Sequence, residues 1–235
     1  MMFVHEQIAQ HAVERPNQPA MIHPDWTITV DLLERAVVGA ANWLTSVGVA
    51  RGIVLGLSLP NPLQQVVMTL ACMRIGGVAA PVDFSSKGID REDLMRRMQI
   101  RFVIGAPDSG IPPDRILAPP PLREFIAQNE KWATSQRSRA DDLAVLCYGS
   151  GTTGRSKVIP LQLRHLLARC LNITDEFRPA SGDKAIVLQW AGGCQRLPSP
   201  GSQDIHGRGF AYQPCTSSSN SAQNLPDALH KLWYQ

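Results

Sequence analysis

The sequence predicts an α/β fold with a mostly parallel sheet flanked by helices, followed by an irregular C-terminal tail. Along the first part of the chain, short apolar runs typical of strands alternate with amphipathic stretches typical of helices. This alternation indicates βα units, whose strands run parallel. The apolar character of residues 53–59 fits a strand that is covered on both faces. We therefore divide the chain into an α/β part, residues 1–193, and a polar tail, residues 194–235.

The first half of the α/β part alternates helices with strands. Asp31 is a suitable N-cap, Pro62 can occupy the first turn of a helix, and Asp90 can cap a third helix. In chain order, the patterns predict a helix over 4–14, a helix over 32–47, a strand over 53–59, a helix beginning at 62, a strand over 78–82, a helix from 91 to about 99 and a strand over 101–105.

The second half begins with a proline-rich loop over residues 106–121, which contains six prolines and predicts extended, irregular backbone. Asp141 and Asp142 lie in a polar link and are expected to be solvated. In chain order, the patterns then predict a helix over 122–132, a polar link over 134–142, a buried strand over 143–148, a helix near 161–172 and a strand over 184–188.

Composition excludes several classes of function. Hydrophobic residues make up 44% and charged residues 18% of the 235 residues, as in ordinary globular proteins. A net charge of +3 is too small to indicate a nucleic-acid partner. No segment reaches the apolar length of a membrane span, and the N-terminus lacks a signal-peptide pattern. Nothing in the composition indicates an oligomeric state.

The cysteines and histidines indicate neither disulfides nor a metal site. The five cysteines are scattered, which fits reduced thiols in a cytoplasmic protein. Cys72, Cys147 and Cys170 lie in apolar runs and are expected in the core. His165 is expected to be a surface or packing residue rather than a base, and the other five histidines show no spacing typical of metal ligands.

The segment Tyr-Gly-Ser-Gly-Thr-Thr-Gly-Arg-Ser-Lys-Val at 148–158 carries the strongest functional signal. Its glycines allow close approach of backbone to a ligand, its hydroxyls are donors, and its lysine is a mobile cation. Such a loop at the end of a strand suits the phosphates of a nucleotide. The spacing matches neither the Walker loop nor the dinucleotide fingerprint. The candidate phosphate-binding residues are Ser150, Gly151, Thr152, Thr153, Gly154 and Lys157.

This segment resembles the phosphate-binding signature of the adenylate-forming enzymes, which include acyl-CoA synthetases, the adenylation domains of peptide synthetases, and luciferase. The Ser-Gly-Thr-Thr-Gly core and the lysine match the family pattern. Three positions depart from it: Gly149 replaces a threonine, Ser156 a proline and Val158 a glycine. A positive φ at Val158 would strain this β-branched residue.

Further segments resemble the family in the same order along the chain. The Pro-Asn that ends strand 53–59 and the Gly-Gly-Val-Ala-Ala-Pro-Val-Asp stretch at 76–83 are similar to family motifs, and the likeness extends to about residue 190. The resemblance implies that residues 1–193 are part of the family's N-terminal domain. It also implies ATP with Mg²⁺ as cofactors, a carboxylic acid as substrate and, in many members, coenzyme A as acceptor.

The resemblance implies that a carboxylate attacks the α-phosphate of ATP, an acyl-adenylate forms and pyrophosphate leaves. The candidate residues would surround the β- and γ-phosphates, and catalytic residues are not assigned. The expected function is acid–thiol ligation of the acyl-CoA synthetase kind. Two alternatives are a non-catalytic nucleotide-binding remnant and an interaction module.

The tail after residue 193 has a different composition. Ser, Pro, Gly, Gln and Asn dominate, and apolar periodicity is lost. One hypothesis is a shifted reading frame near residues 192–194, and the alternative is a genuine polar tail. The family motifs expected further along the chain, including those for metal, ribose and the reacting carboxylate, do not occur in these 235 residues. Acyl-adenylate turnover is therefore not expected from this chain alone.

Overall fold

The computed structural model describes seven stretches of the chain, namely residues 2–23, 26–59, 61–82, 91–105, 111–128, 138–149 and 157–178. Its helices are α1 (Val4–Glu14), α2 (Val30–Ser46), α3 (Pro62–Arg74), α4 (Arg91–Met98), α5 (Leu122–Ala127) and α6 (Leu163–Phe177). Its strands are β1 (Pro19–His23), β2 (Trp26–Thr29), β3 (Val54–Ser58), β4 (Val78–Pro81), β5 (Ile100–Gly105), β6 (Ile116–Leu117), β7 (Leu143–Gly149) and β8 (Lys157–Gln162).

The main sheet has six strands in the order β6-β5-β3-β4-β7-β8. Its first four pairings are parallel, and β7 pairs with β8 in the antiparallel sense. The strands β1 and β2 form a separate antiparallel pair. The predicted fold class, a mostly parallel sheet with flanking helices, is therefore confirmed.

Helices cover both faces of the main sheet because its strands are apolar on both sides. Leu55 and Leu57 of β3 pack into a cluster with α2, α3, α5 and α6. Val54 of the same strand faces a second cluster, which contains Leu94 and Met98 of α4. This alternation follows the two-residue period of a strand. The strand that precedes the candidate phosphate-binding loop thus belongs to a sheet that is covered on both faces.

Several predicted boundaries and elements need correction. The N-cap of α2 is Thr29, whose hydroxyl accepts from the Leu32 N–H at 3.4 Å, and the predicted cap Asp31 lies in the first turn. N-cap preference favoured the aspartate, but α2 already begins at Val30, so that Asp31 lies inside the helix. The hairpin β1–β2 and the short strand β6 were not predicted, because their apolar patterns are too short to stand out.

Other corrections concern the second half of the chain. Residues 161 and 162 end strand β8, and α6 begins at Leu163 and continues to Phe177. The helix predicted over 122–132 ends at Ala127. Cys72 and Cys147 are buried as predicted, whereas Cys170 is exposed because it lies on the outer face of α6. Asp90 and the strand predicted over 184–188 lie outside the described residues.

A buried polar cluster joins the first three helices. Arg74 at the end of α3 donates to both carboxylate oxygens of Glu34 in α2, at 2.6 and 2.7 Å. It also donates to the His5 carbonyl at 2.8 Å. The His5 ring lies 3.2 Å from the Ser138 hydroxyl through Nε2, while Nδ1 has no hydrogen-bond partner among the described residues. The cluster ties α1 to the core.

Because His5 lies in this buried cluster, we expect its protonation to lower the stability of the fold at acid pH. Burial, helped by the Arg74 cation and opposed by Glu6, lowers the pKa of His5 from 6.5 to about 4. Between pH 6.5 and about pH 4, the His5 ring is therefore protonated in the unfolded chain but neutral in the folded chain. The free energy of unfolding should fall as pH drops from about 6.5 towards 4, with His5 contributing about 3 kcal/mol.

Urea unfolding at pH 7 and pH 4.5 checks this expectation. The acid loss of stability should be smaller in His5→Gln than in the unmodified protein. His11, which is half-buried on the same helix, provides the matched control, and His11→Gln should leave the acid loss unchanged. Equal losses in the unmodified protein and His5→Gln would contradict the prediction.

Candidate functional site

The candidate site lies at the carboxyl edge of the main sheet. Strands β3, β4 and β7 are parallel neighbours, so their carboxyl ends lie at the same edge. At that edge Gly149, the last residue of β7, pairs with Lys157, the first residue of β8. Residues 150–156, which follow Gly149 and precede Lys157 in the sequence, lie outside the described residues. Crevices at the carboxyl ends of parallel strands are the usual ligand sites of open α/β sheets.

Of the six predicted phosphate-binding residues, the structure describes Lys157. The other five, Ser150, Gly151, Thr152, Thr153 and Gly154, lie outside the described residues. Lys157 is exposed, and the structure shows no ion pair between its ammonium and another described residue. Its cation at the edge of the sheet is therefore accessible to an anionic ligand.

Val158, where a positive φ would be strained, lies in strand β8. This residue pairs with Tyr148 within the β7–β8 ladder. It is not among the non-glycine residues of the described chain that have positive φ, which are Gln99 and Arg178. Valine in place of glycine therefore creates no backbone strain here, because extended conformation suits β-branched residues.

Helix α3 also begins at the carboxyl edge, directly after β3. Asn61 caps it, and its side-chain oxygen accepts from the N–H groups of Leu63 and Gln64 at 2.9 and 3.3 Å. Pro62 occupies the first turn, as predicted. The N-terminal end of the helix dipole thus lies at the same edge as Lys157.

The opposite, amino edge contains ion pairs that the sequence did not predict. Arg51, in the turn before β3, donates to both carboxylate oxygens of Asp142, which directly precedes β7. Burial opposes the charge of Asp142, but hydrogen bonds from Arg51 and from the Arg139 N–H outweigh it and lower the pKa of this carboxyl. The expectation that Asp142 is a solvated loop residue is wrong, since its side chain is only 15% exposed.

The remaining candidates have simpler positions. His165 is exposed, as predicted, and its Nδ1 accepts from the Gln162 N–H at 3.3 Å at the start of α6. Trp43 of α2, which the site does not involve, packs against Phe125 of α5 with ring centroids 6.1 Å apart. Within the described stretches, no three His, Cys, Asp or Glu residues lie close enough together to hold a metal ion. No helix in these stretches is long and apolar enough to cross a membrane.

Comparison with known families decides what this architecture is. A sequence model described as AMP-binding enzyme matches residues 8–191. The chain belongs to this family. The match covers the complete described sheet and the candidate loop, and it confirms the resemblance inferred from residues 148–158. It ends close to residue 193, where the composition changes.

The curated relatives include peptide synthetases and CoA ligases. The chain is 30% identical over 173 residues to a linear gramicidin synthase of Brevibacillus parabrevis, covering 70% of the chain and 3% of that protein. It is 25% identical over 190 residues to the probable CoA ligase CCL9 of Humulus lupulus, covering 72% of the chain and 35% of the ligase. It is 28% identical to the 4-chlorobenzoate–CoA ligase of an Arthrobacter species, covering 71% and 34%. The chain thus spans about a third of these CoA ligases.

Solved structures share the fold. The structure of VinN in complex with L-aspartate has a TM-score of 0.67 at 24% identity, over 77% of this chain and 54% of VinN. The N-terminal subdomain of NpsA from Klebsiella oxytoca has a TM-score of 0.60 at 21% identity, over 70% and 42%. At these identities the likeness establishes the fold alone.

Proposed function

We propose that residues 150–157 bind the β- and γ-phosphates of ATP in a protein that activates a carboxylic acid as its acyl-adenylate. The observation that carries the proposal is the family match, which spans the hairpin with the Ser-Gly-Thr-Thr-Gly sequence between its strands. The accessible Lys157 cation at the carboxyl edge supports it. Residues 1–193 would form part of the nucleotide-binding domain, with 194–235 as a polar tail.

The proposed role of the hairpin is charge neutralisation and positioning. Ser150, Thr152 and Thr153 would donate hydroxyl hydrogen bonds to phosphate oxygens, while Gly151 and Gly154 would let backbone N–H groups approach them. Lys157 would act as a point charge beside the departing pyrophosphate. Mg²⁺, when bound, would share the charge of the polyphosphate, and we assign it no protein ligand within the described residues.

The finer proposal is acid–thiol ligation with coenzyme A as the acceptor, in the cytoplasm. The CoA ligases among the relatives support it, whereas the peptide synthetases favour transfer to another acceptor. A pyrophosphate-release assay with a panel of carboxylic acids tests for adenylation. Addition of coenzyme A then tests for acyl-CoA formation. Because turnover is not expected from these 235 residues alone, acid-dependent pyrophosphate release would contradict that expectation, whereas ATP binding without it fits the phosphate-binding role proposed for residues 150–157.

The direct test is equilibrium ATP binding by titration calorimetry. Lys157→Ala should weaken ATP affinity at least about tenfold, because a hydrogen bond to a charged phosphate contributes about 1.5 kcal/mol or more. Arg169→Ala is the matched control, since Arg169 is an exposed cation on α6 and is not one of the candidate phosphate-binding residues. Equal affinity of Lys157→Ala and Arg169→Ala, or no ATP binding by the unmodified protein, would refute the proposal.

A further inference from the structure

An arginine side chain crosses the amino edge of the sheet beneath three adjacent strands. Arg51 lies shortly before β3, Gly76 lies shortly before β4, and Asp142 directly precedes β7. Because these strands are neighbours in the order β3-β4-β7, the Arg51 side chain must pass the start of β4 to reach Asp142.

Gly76 leaves the space for this crossing. A Cβ atom at Gly76 would lie 3.0 Å from Cγ of Arg51, and Gly76 has a φ of +72° that disfavours other residues. The turn before β4 is also joined to the turn before β3, because the Gly52 N–H donates to the Gly76 carbonyl at 2.9 Å. The arginine therefore lies against a turn whose glycine suits both the backbone conformation and the contact.

Asp142 belongs to the base of the β7–β8 hairpin. Its carboxylate accepts from the Arg139 N–H at 2.7 Å, and its carbonyl accepts from the Leu163 N–H at 3.0 Å. The neighbouring Ala140 carbonyl accepts from the Arg164 N–H at 3.0 Å. The turn before β7 is thus bonded to the start of α6, directly after β8, so Arg51 holds the whole base of the hairpin through Asp142.

The hairpin is paired more extensively within itself than with the rest of the sheet. Strands β7 and β8 pair from Leu143 and Gln162 to Gly149 and Lys157, with one register shift between Leu143 and Val145. The register between β7 and the parallel part of the sheet is defined by one described pair, Ala79 with Val145. Backbone pairing with β4 therefore constrains the position of the β7–β8 hairpin only weakly. A polar contact between the sheet and the hairpin can add to that constraint.

We propose that Arg51, seated against Gly76 and bound to Asp142, is a clamp that sets the position of the β7–β8 hairpin on the sheet. The clamp thereby positions residues 150–157 for phosphate binding at the opposite edge. This inference rests on the proposed function of that loop. Arg51 and Asp142 are positioning residues, since they lie one strand length, roughly 23 Å for seven residues, from the loop.

A displacement at the base of the hairpin can reach the loop through the strands themselves. Strand β7 is packed on both faces, since it contributes Ala144 and Cys147 to one core cluster and Leu146 to the other, and β8 is paired with it. A shift at the base of the hairpin consequently displaces its other end. Lys157 and the loop would then meet the phosphates in altered geometry.

The test compares Asp142→Asn with the matched control Asp141→Asn. Asp141 is the adjacent residue and has an ion pair with Arg164, but its side chain is 74% exposed and it does not contact Arg51. ATP affinity is measured by calorimetry well below the unfolding temperature, and amide hydrogen exchange is measured for peptides covering residues 157–162. Asp142→Asn should weaken ATP affinity about three- to tenfold and speed exchange in β8. Asp141→Asn should change neither.

Two further variants separate positioning from general stability. Arg51→Lys keeps the charge but removes the guanidinium, whose Nη2 donates to both carboxylate oxygens, and it should give a smaller change in the same direction as Asp142→Asn. The exchanged pair Arg51→Asp with Asp142→Arg should recover part of the lost affinity. A lowered unfolding temperature with unchanged ATP affinity and unchanged β8 exchange would overturn the clamp, because a merely structural pair gives that result.

The outcomes distinguish this inference from the proposed function. No ATP binding by the unmodified protein would refute the proposed function, and with it the role of the clamp in phosphate binding. Hydrogen exchange would then still decide whether the clamp positions the hairpin. ATP binding by the unmodified protein that is equally strong in Asp142→Asn would refute the inference while leaving the proposed function intact.

Discussion

Arg74→Ala is expected to lower the free energy of unfolding by about 3–5 kcal/mol. Arg74 is 6% exposed and donates to both carboxylate oxygens of Glu34 and to the His5 carbonyl. Its removal leaves the Glu34 charge, which is itself 17% exposed, without its partner in the interior. Breaking one side of a buried pair is costly because the remaining charge keeps its desolvation penalty. Urea unfolding followed by circular dichroism measures the change.

Two comparisons make this first prediction specific. Arg96→Ala removes an arginine from an exposed ion pair with Asp93, and it should change stability by no more than about 1 kcal/mol. The double replacement Arg74→Met with Glu34→Leu should recover much of the stability, since it removes both charges while keeping apolar volume. A loss in Arg74→Ala no larger than that in Arg96→Ala would show that the buried pair does not stabilise the fold.

Gly39→Ala is expected to destabilise the protein by about 2 kcal/mol. Gly39 lies inside α2, where intrinsic helix propensity alone would favour alanine by about 1 kcal/mol. In the structure, however, a Cβ at this position would lie 2.6 Å from the carbonyl oxygen of Phe125 and 2.7 Å from its Cα. These are backbone atoms of α5 and cannot rotate away, so α2 and α5 must separate and lose packing.

Thermal and urea unfolding of Gly39→Ala test the sign of the effect directly. Thr45→Ala provides the control, because it also introduces alanine into α2 but at an exposed position, and its effect should stay within about 0.5 kcal/mol. A Gly39→Ala protein more stable than the unmodified one would mean that helix propensity outweighs the close approach of the two helices.

Sequence patterns predicted most of the parallel sheet because its strands are short apolar runs between amphipathic helices. The helices α1 and α3 and the strands β3, β4 and β7 lie within one or two residues of their predicted places. The pattern failed at β8, where Lys157–Gln162 includes a proline and mixes exposed with half-buried residues. An edge strand with that composition has no periodic signal, and only its pairing with β7 defines it.

The candidate site was predicted in a similar way. Local composition alone indicated a phosphate-binding loop after the strand at 143–148. The structure confirms this strand, whose last residue lies at the carboxyl edge of the sheet. The phosphate contacts of Ser150, Gly151, Thr152, Thr153, Gly154 and Lys157 stay predictions. The boundary at residue 193 and the reading-frame hypothesis also stay predictions, since residues 179–235 lie outside the described chain.

The sequence by itself determined the fold class, the family and the location of the candidate loop, because each depends on local order: alternating apolar runs and one contiguous motif. Only the tertiary structure decided the partnership of Arg51 with Asp142, which are 91 positions apart, and the contact of Gly39 with Phe125. Such pairs arise when parallel strands bring distant turns to one edge and helices pack on one face. No local sequence pattern indicates which residues then come into contact.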